Sequence, residues 1–445
     1  MAIALRRLSR TTFRNAKRVV KPQLCKELMH WPQVKASHGG ALFSTRCTTG
    51  DHVVLNRFSI PVRFDSRFTI NYWLTVSFRL GDAGMTRCAR CLLPSAVPGA
   101  DLDKNGVCYL CRNYDPNVEQ IQEAQRLNYE RDLERTLRET RGGKDYDAVI
   151  CLSGGKDSLY LLYRAVKDYG LRVLAFTIDA NIPDVAWASI RKAIEVLQVD
   201  HLVYRPPVDF YRKLFHYLLQ NQESRGAVYT ISYVYAPLFE GNALTIAHEK
   251  GIPLVLAGYS PGQPEKARME YEFSRKLISE TDWTPPGLRE ARLFSEAELT
   301  RFWNPARYPA ATQFPRYIAP FHAWKYHQGE IMQNIVELGL VPHKSNADPV
   351  FSNYPVNWLL MYSDLKNLGY NPYAPEFAAL IRSGKASRSD WVVKMPLIDY
   401  IIKKRLGGWG NMRLGRIVTE QMKWLNLKRD NLIINKPFGW YDPKF

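Results

Sequence analysis

Between residues 147 and 257 short apolar runs alternate with amphipathic stretches. Asp147-Ala-Val-Ile-Cys-Leu152 is followed by a helical pattern over Leu159–Val166. The run Leu171–Ile178 ends at Asp179, a helical pattern covers Val185–Leu197, and the short run His201–Tyr204 precedes helical stretches over Tyr211–Leu219 and Leu238–Lys250. Ile252–Ala257 is a last apolar run, closed by Gly258. Strands buried on both faces lose the polar alternation of a half-exposed sheet, and helices between them supply the crossovers that parallel pairing needs. The pattern therefore predicts an α/β fold with a doubly wound parallel sheet.

Other stretches read differently. Residues 112–146 interleave charges of both signs at helical spacing (Glu119, Glu123, Arg126, Glu130, Arg131, Glu134, Arg135, Arg138), which predicts a solvated helix braced by i,i+4 pairs. Residues 280–317 are rich in proline and aromatic residues and read as an irregular excursion, after which helical patterns return at Ile331–Leu340 and Trp358–Leu368. Phe68–Phe78 alternates like a strand but has no evident partner, and Arg63, Asp65, Arg67 and Arg79 bound it too closely for a membrane span of about twenty residues. These changes in pattern divide the chain into 1–84, a basic extension; 85–115, a small cysteine module; 116–145, a linker helix; 146–275, the parallel-sheet domain; 276–390, a helical region; and 391–445, a basic aromatic tail.

Charge changes this picture less than its size suggests. Of the net +18 over 445 residues, +10 falls within the first 84, so the excess is weak evidence for a nucleic-acid binder. That segment has the composition of an organelle transit peptide, with Arg6, Arg7, Arg10, Arg14, Lys17 and Arg18 in its opening and no acid before Glu27. A simpler expectation is that the native start is Met85, three residues before Cys88. Residues 386–445 hold 12 Lys/Arg against 5 Asp/Glu with Trp391, Trp409, Trp424 and Trp440 among them, a composition suited to phosphates and stacked rings or to an ordinary solvated face.

Candidate chemistry is concentrated in two motifs. Ser153-Gly154-Gly155-Lys156-Asp157-Ser158 lies between an apolar run and a helix start, where bare N–H groups and the positive end of a helix can meet a phosphate. Adjacent glycines let the backbone approach an anion, Ser153 and Ser158 add hydroxyls, Lys156 adds positive charge, and Asp157 is placed to hold Mg²⁺. Cys88-Ala-Arg-Cys91 and Cys108-Tyr-Leu-Cys111 form a paired C-x-x-C arrangement that suits a structural Cys₄ zinc ribbon, with no coordination position left for catalysis. Cys25, Cys47 and Cys151 form no further framework, which suits an intracellular setting. Past Gly258, the polar loop with Gln263, Glu265, Lys266 and Arg268 offers substrate contacts, Glu265 being the candidate for a second acidic role. His343, Lys344, Asn353 and Arg382 are candidates for substrate anions or ordinary helix ends.

The Ser-Gly-Gly-Lys-Asp-Ser string resembles the signature of the PP-loop ATP pyrophosphatase superfamily. Cys88-x-x-Cys91-x-x-Pro94, Gly106-Val-Cys108-x-x-Cys111, Tyr146-Asp147 and Leu380-Ile-Arg382-x-Gly384 extend the likeness to the N-acetyl sugar amidotransferases of surface-polysaccharide biosynthesis. The resemblance implies cleavage of ATP between its α and β phosphates, with ATP contacts at Ser153, Gly154, Gly155, Lys156, Asp157 and Ser158, adenosine contacts near Asp179 and AMP contacts at Gly258. It also implies Lys156 and Asp157 as catalytic residues, and a cytoplasmic enzyme that turns an acetamido group of a free or nucleotide-linked N-acetyl sugar into an acetamidino group. Ammonia would come from a separate glutaminase through a channelling subunit, with nucleic acid the less favoured partner. Relatives carry further cysteines where this chain reads Tyr229-Thr-Ile-Ser-Tyr-Val-Tyr235. The alternative is a tRNA-thiolating PP-loop enzyme, which would account for the basic segments but commonly needs catalytic-domain cysteines.

Overall fold

A computed structural model describes residues 52–65, 68–79 and 86–443, apart from 116, 144, 262, 264–268, 348–353, 393 and 405–413. The chain divides into two units, Met1–Met85 and Thr86–Phe445. In the first, β1 (His52–Asp65) pairs antiparallel with β2 (Phe68–Arg79), in register from His52↔Arg79 to Arg63↔Thr69, with an irregularity between Leu55 and Phe58. The alternating stretch at 68–78 thus has its partner in the segment just before it. That segment escapes a reading by alternation because Asn56, Arg57 and Pro61 interrupt its apolar positions.

The second unit is built on a five-stranded sheet. Its strands are β3 (Ala148–Cys151), β4 (Val173–Ile178), β5 (Asp200–Tyr204), β7 (Leu254–Ala257) and β8 (Arg316–Ile318), and every neighbouring pair is parallel. The spatial order β5-β4-β3-β7-β8 puts the first strand in the middle, with the chain winding outward one way and then the other. The predicted doubly wound α/β fold is therefore what forms. Central strands β3, β4 and β7 are buried along their whole length, whereas edge strand β5 stays largely accessible. Between them run α2 (Lys156–Tyr163, continued by a π-turn through Asp168), α3 (Asp184–Leu197), α4 (Val208–Gln220) and α5 (Ala227–Glu249), the last beginning eleven residues before its predicted start.

The helix predicted at 112–146 is α1 (Asn117–Thr140). Arg126 pairs with Glu130 at 3.1 Å and with Glu123 at 2.8 Å, as the charge pattern requires. Its C-terminal turns are not solvated: Leu133 and Leu137 enter the core with Ile150, Leu159 and Ile318. Asp132 and Thr136 both receive hydrogen bonds from the Arg316 guanidinium on β8. Residues 280–317 hold short helices at Pro286–Glu290 and Glu296–Leu299 and end in β8, a strand too short to show periodicity.

Beyond β8 the chain builds a helical layer from α6 (Gln328–Glu337), α7 (Pro355–Asn367), α8 (Ala374–Arg382), α9 (Lys394–Lys404) and α10 (Leu414–Trp424). The segment 391–445, expected as a tail, is part of this layer. Ile402, Val418 and Leu432 are buried, and β9 (Ile434–Lys436) pairs parallel with β6 (Gln222–Glu223). Trp391 is also buried, with its ring against that of Phe377. Asp364 of α7, fully buried, accepts hydrogen bonds from the backbone N–H groups of Ala227 and Val228, the first residues of α5. Among the described residues no helix is long and apolar enough to cross a membrane.

Candidate active site

Where the winding direction of an open parallel sheet reverses, neighbouring strands send their following loops to opposite faces and leave a crevice at their carboxyl ends. Here the reversal lies between β3 and β7, which puts the loop Ser153–Ser158 and Gly258 side by side. A Cβ on Gly258 would meet the Ser158 backbone nitrogen at 2.9 Å, so only glycine lets the end of β7 lie against the start of α2. Gly154 has φ +79°, and a Cβ there would come within 2.7 Å of the Ala186 carbonyl on α3. The two positions fix how closely two different helices approach the loop.

The loop hydroxyls brace the turn itself. Ser158 Oγ donates to the Gly155 carbonyl at 3.0 Å and accepts from the Ser153 backbone N–H at 3.2 Å, and the Gly155 N–H points at Ser153 Oγ at 3.4 Å. Lys156 Nζ donates to Asp157 Oδ2 at 2.6 Å and to the Tyr326 hydroxyl at 3.1 Å, while that hydroxyl lies 3.3 Å from Asp157 Oδ1. Burial works against the Lys156 charge, but Asp157 and Tyr326 outweigh it and hold its pKa above the ordinary lysine value. A hydrogen-bonded Lys–Asp pair thus sits at the mouth of a helix N-terminus, an end of the helix that favours anions.

This pair lies on one wall of a cavity of about 390 Å³. The loop, Gly258, Ser260 and Gln263 line one side; Trp358, Tyr373, Glu376, Phe377 and Trp391 of the helical layer line the other. Burial pushes the Glu376 carboxyl up to about 7, with the Lys156 charge opposing and the Asp157 charge adding to the shift. Cys151 borders the cavity from β3, buried, its thiol 3.6 Å from the Tyr317 hydroxyl and raised to about 12 by burial.

Several predicted site residues lie elsewhere. Asp179 opens into a neighbouring depression of about 700 Å³ with Trp187, Arg191 and Arg205. Its carboxylate accepts from Arg205 Nε at 2.7 Å and from the Ile182 N–H at 3.5 Å, so it also caps the turn after β4. Lys344 is exposed and lines neither hollow, as is His343. Arg382 lies at the far end of α8, donating to Cys91 Sγ at 3.3 Å, a contact with the cysteine module in place of a substrate anion. Glu265, Lys266, Arg268 and Asn353 lie outside the described residues. Glu376 and Tyr326 were missed because no local motif marks them; the one sequence signal for Glu376 is an acid in the first turn of a helix, a position shared by many unremarkable residues.

The four cysteines converge as the spacing predicts. Their sulfurs lie within 4.8 Å of one another, with Cys88 and Cys111 3.8 Å apart and Cys91 and Cys108 3.6 Å apart. A tetrahedron with metal–sulfur bonds of about 2.3 Å has edges of about 3.8 Å, so the quartet fits a single zinc-sized ion. Val97, Leu102 and Val107 pack around it with Ala378 and Ile381 of α8.

No family model matches the chain, and no curated protein matches it. Solved structures to which it is similar include the U34-tRNA thiolase NcsA from Methanococcus maripaludis with its [4Fe-4S] cluster, at 14% identity over 74% of this chain and 88% of that one, TM-score 0.30. An NMN synthetase from Francisella tularensis is similar at 14% identity over 70% of this chain and 97% of that one, TM-score 0.28. An NH3-dependent NAD synthetase from Campylobacter jejuni is similar at 13% identity, 66% and 97% coverage, TM-score 0.27. Scores at this level decide no substrate.

Proposed function

We propose that this protein is an ATP-using PP-loop enzyme that adenylates the acetamido oxygen of an N-acetylated sugar and replaces it with ammonia. The observation that carries the reading is the charged Lys156–Asp157 pair at the mouth of α2, lining a cavity to which Trp358, Phe377 and Trp391 also contribute and which a single withdrawn thiol borders. An amide oxygen is a poor leaving group, so ammonia displaces it only after activation. In the first step the amide oxygen bonds the α-phosphorus of ATP and pyrophosphate departs. Lys156 and the N–H groups of Gly154 and Gly155 are positioned to stabilise charge on the phosphates. Asp157 would hold Mg²⁺, which supplies further charge neutralisation there. The cysteine quartet would hold Zn²⁺ as a structural ion.

Thiolation of tRNA is the rival. It calls for an accessible thiolate or cluster ligand at the loop, and Cys151, the sole cysteine of residues 86–445 outside the quartet, is buried with its pKa raised. The two are separated by incubating the full chain with ATP, Mg²⁺, ammonium and a panel of free and nucleotide-linked N-acetyl sugars, following AMP, pyrophosphate and product mass. AMP release coupled to exchange of one oxygen for NH supports amidation. AMP formed only with tRNA and a sulfur donor moves the protein to the thiolating class.

A further inference from the structure

Glu376 stands in the first turn of α8, with its side chain lining the same cavity as the loop. No described residue hydrogen-bonds or ion-pairs with its carboxylate, although carboxylates removed from bulk water normally take a partner. Three titratable groups interact with it, Lys156 and Asp157 on the loop and the phenol of Tyr373, and Tyr326, bonded to the loop pair, lines the same cavity. A structural acid would be tied to one of these cations or hydroxyls. This one is left open to whatever occupies the cavity.

The helix carrying it is anchored at its other end. Ala378 and Ile381 pack on the cysteine quartet, and Arg382 donates to Cys91 Sγ at 3.3 Å. Six positions on one short helix therefore separate Arg382, bonded to the metal-type module, from a lone carboxylate on the lining of the same cavity as the loop.

We propose that Glu376 is the proton acceptor of this site. The assignment rests on the amidation reading above. Ammonia nitrogen bonds the carbon of the O-adenylated amide, giving a tetrahedral species that carries the nitrogen as an ammonium. One proton passes from that nitrogen to the Glu376 carboxylate. The carbon–oxygen bond to the adenylyl group then breaks, AMP leaves with the electron pair, and the amidinium product forms. With its pKa near 7, the carboxyl is matched to take up and return a proton around neutral pH.

The test compares wild type, Glu376→Gln and Glu376→Asp over pH 5.5 to 9 as full chains. Two readouts are needed: acceptor-dependent ATP–pyrophosphate exchange without ammonia, which reports adenylation, and AMP release with ammonium, which reports the whole reaction. Glu376→Gln should keep exchange near the wild-type rate, lose about 10²-fold or more in AMP release, and, at matched concentrations of free ammonia, lose the fall in rate below neutral pH, with partial recovery in Glu376→Asp. Unchanged AMP release and pH profile in Glu376→Gln would overturn the assignment, as would equal loss of both readouts, the mark of a merely structural residue. Wild-type protein that forms no AMP with ammonium and any sugar fails one step earlier, and removes the amidation reading together with the role built on it.

Discussion

The two walls of the cavity are made in opposite ways. One is a run of six consecutive residues whose positions follow from local rules: a buried strand, a glycine turn and a helix start. The other is assembled from α7, α8 and α9, some two hundred residues further on, and is held in place by the cysteine module, which precedes the sheet in sequence. The first kind of wall can be carried by a local motif because backbone conformation sets it. The second depends on side chains that only tertiary packing brings together.

If the second wall is indeed set by the cysteine module, breaking the module should disturb it most. Cys91→Ser removes one of four thiolates and the acceptor of the Arg382 contact, and is expected to cost at least about 5 kcal/mol of stability. Metal analysis and denaturant unfolding check this; a variant as stable as wild type would mean that α8 is positioned without the quartet. Next in size, Lys156→Ala should lower AMP formation by about 10²–10³-fold with the fold retained, read by turnover alongside circular dichroism. Gly258→Ala tests the junction of the first wall. Its Cβ would press on the Ser158 backbone nitrogen, and a loss of about 1–3 kcal/mol with weaker ATP binding is expected in thermal unfolding and calorimetry.

The smallest effect concerns Asp364, which ties the helical layer to the start of α5. Burial lifts its carboxyl from 3.8 to about 7, against the opposing pull of the Val228 and Ala227 N–H groups. The folded protein therefore holds this proton more tightly than the open chain. The contribution to stability is complete below about pH 4 and is lost as pH rises through 7, at up to about 1.4 kcal/mol per pH unit. Asp364→Asn should flatten this slope in urea titrations at pH 5, 6, 7 and 8; a parallel slope would show that the carboxylate is ionised throughout.

The same contrast explains what could be read in advance. Strands β3, β4 and β7 and the helices between them were legible because burial on both faces writes itself as continuous apolar runs. Strand β8 was not, since three residues carry no period and its place depends on Arg316 reaching across to Asp132 and Glu272. Lys344 and Arg382 were candidates for substrate anions or for ordinary helix ends, and each is a basic residue in the last turn of its helix. Nothing local tells a guanidinium destined for a phosphate from one destined for a cysteine sulfur, and Arg382 meets the latter. Glu376 shows the converse: its significance lies in what fails to pair with it.

The pairing of β9 with β6 bears on how the molecule comes into being. Gln222 bonds the Ile433 carbonyl, so its partner emerges from the ribosome roughly 210 residues after it does. At about 5–20 residues per second this is an interval of about 10–40 s. During that time the five-stranded sheet can already assemble from the chain in hand, while β6 and the underside of α4 await a cover. The nascent protein thus passes through a stage in which the turn at Ser153–Ser158 can form before the packing between β6 and β9 is complete.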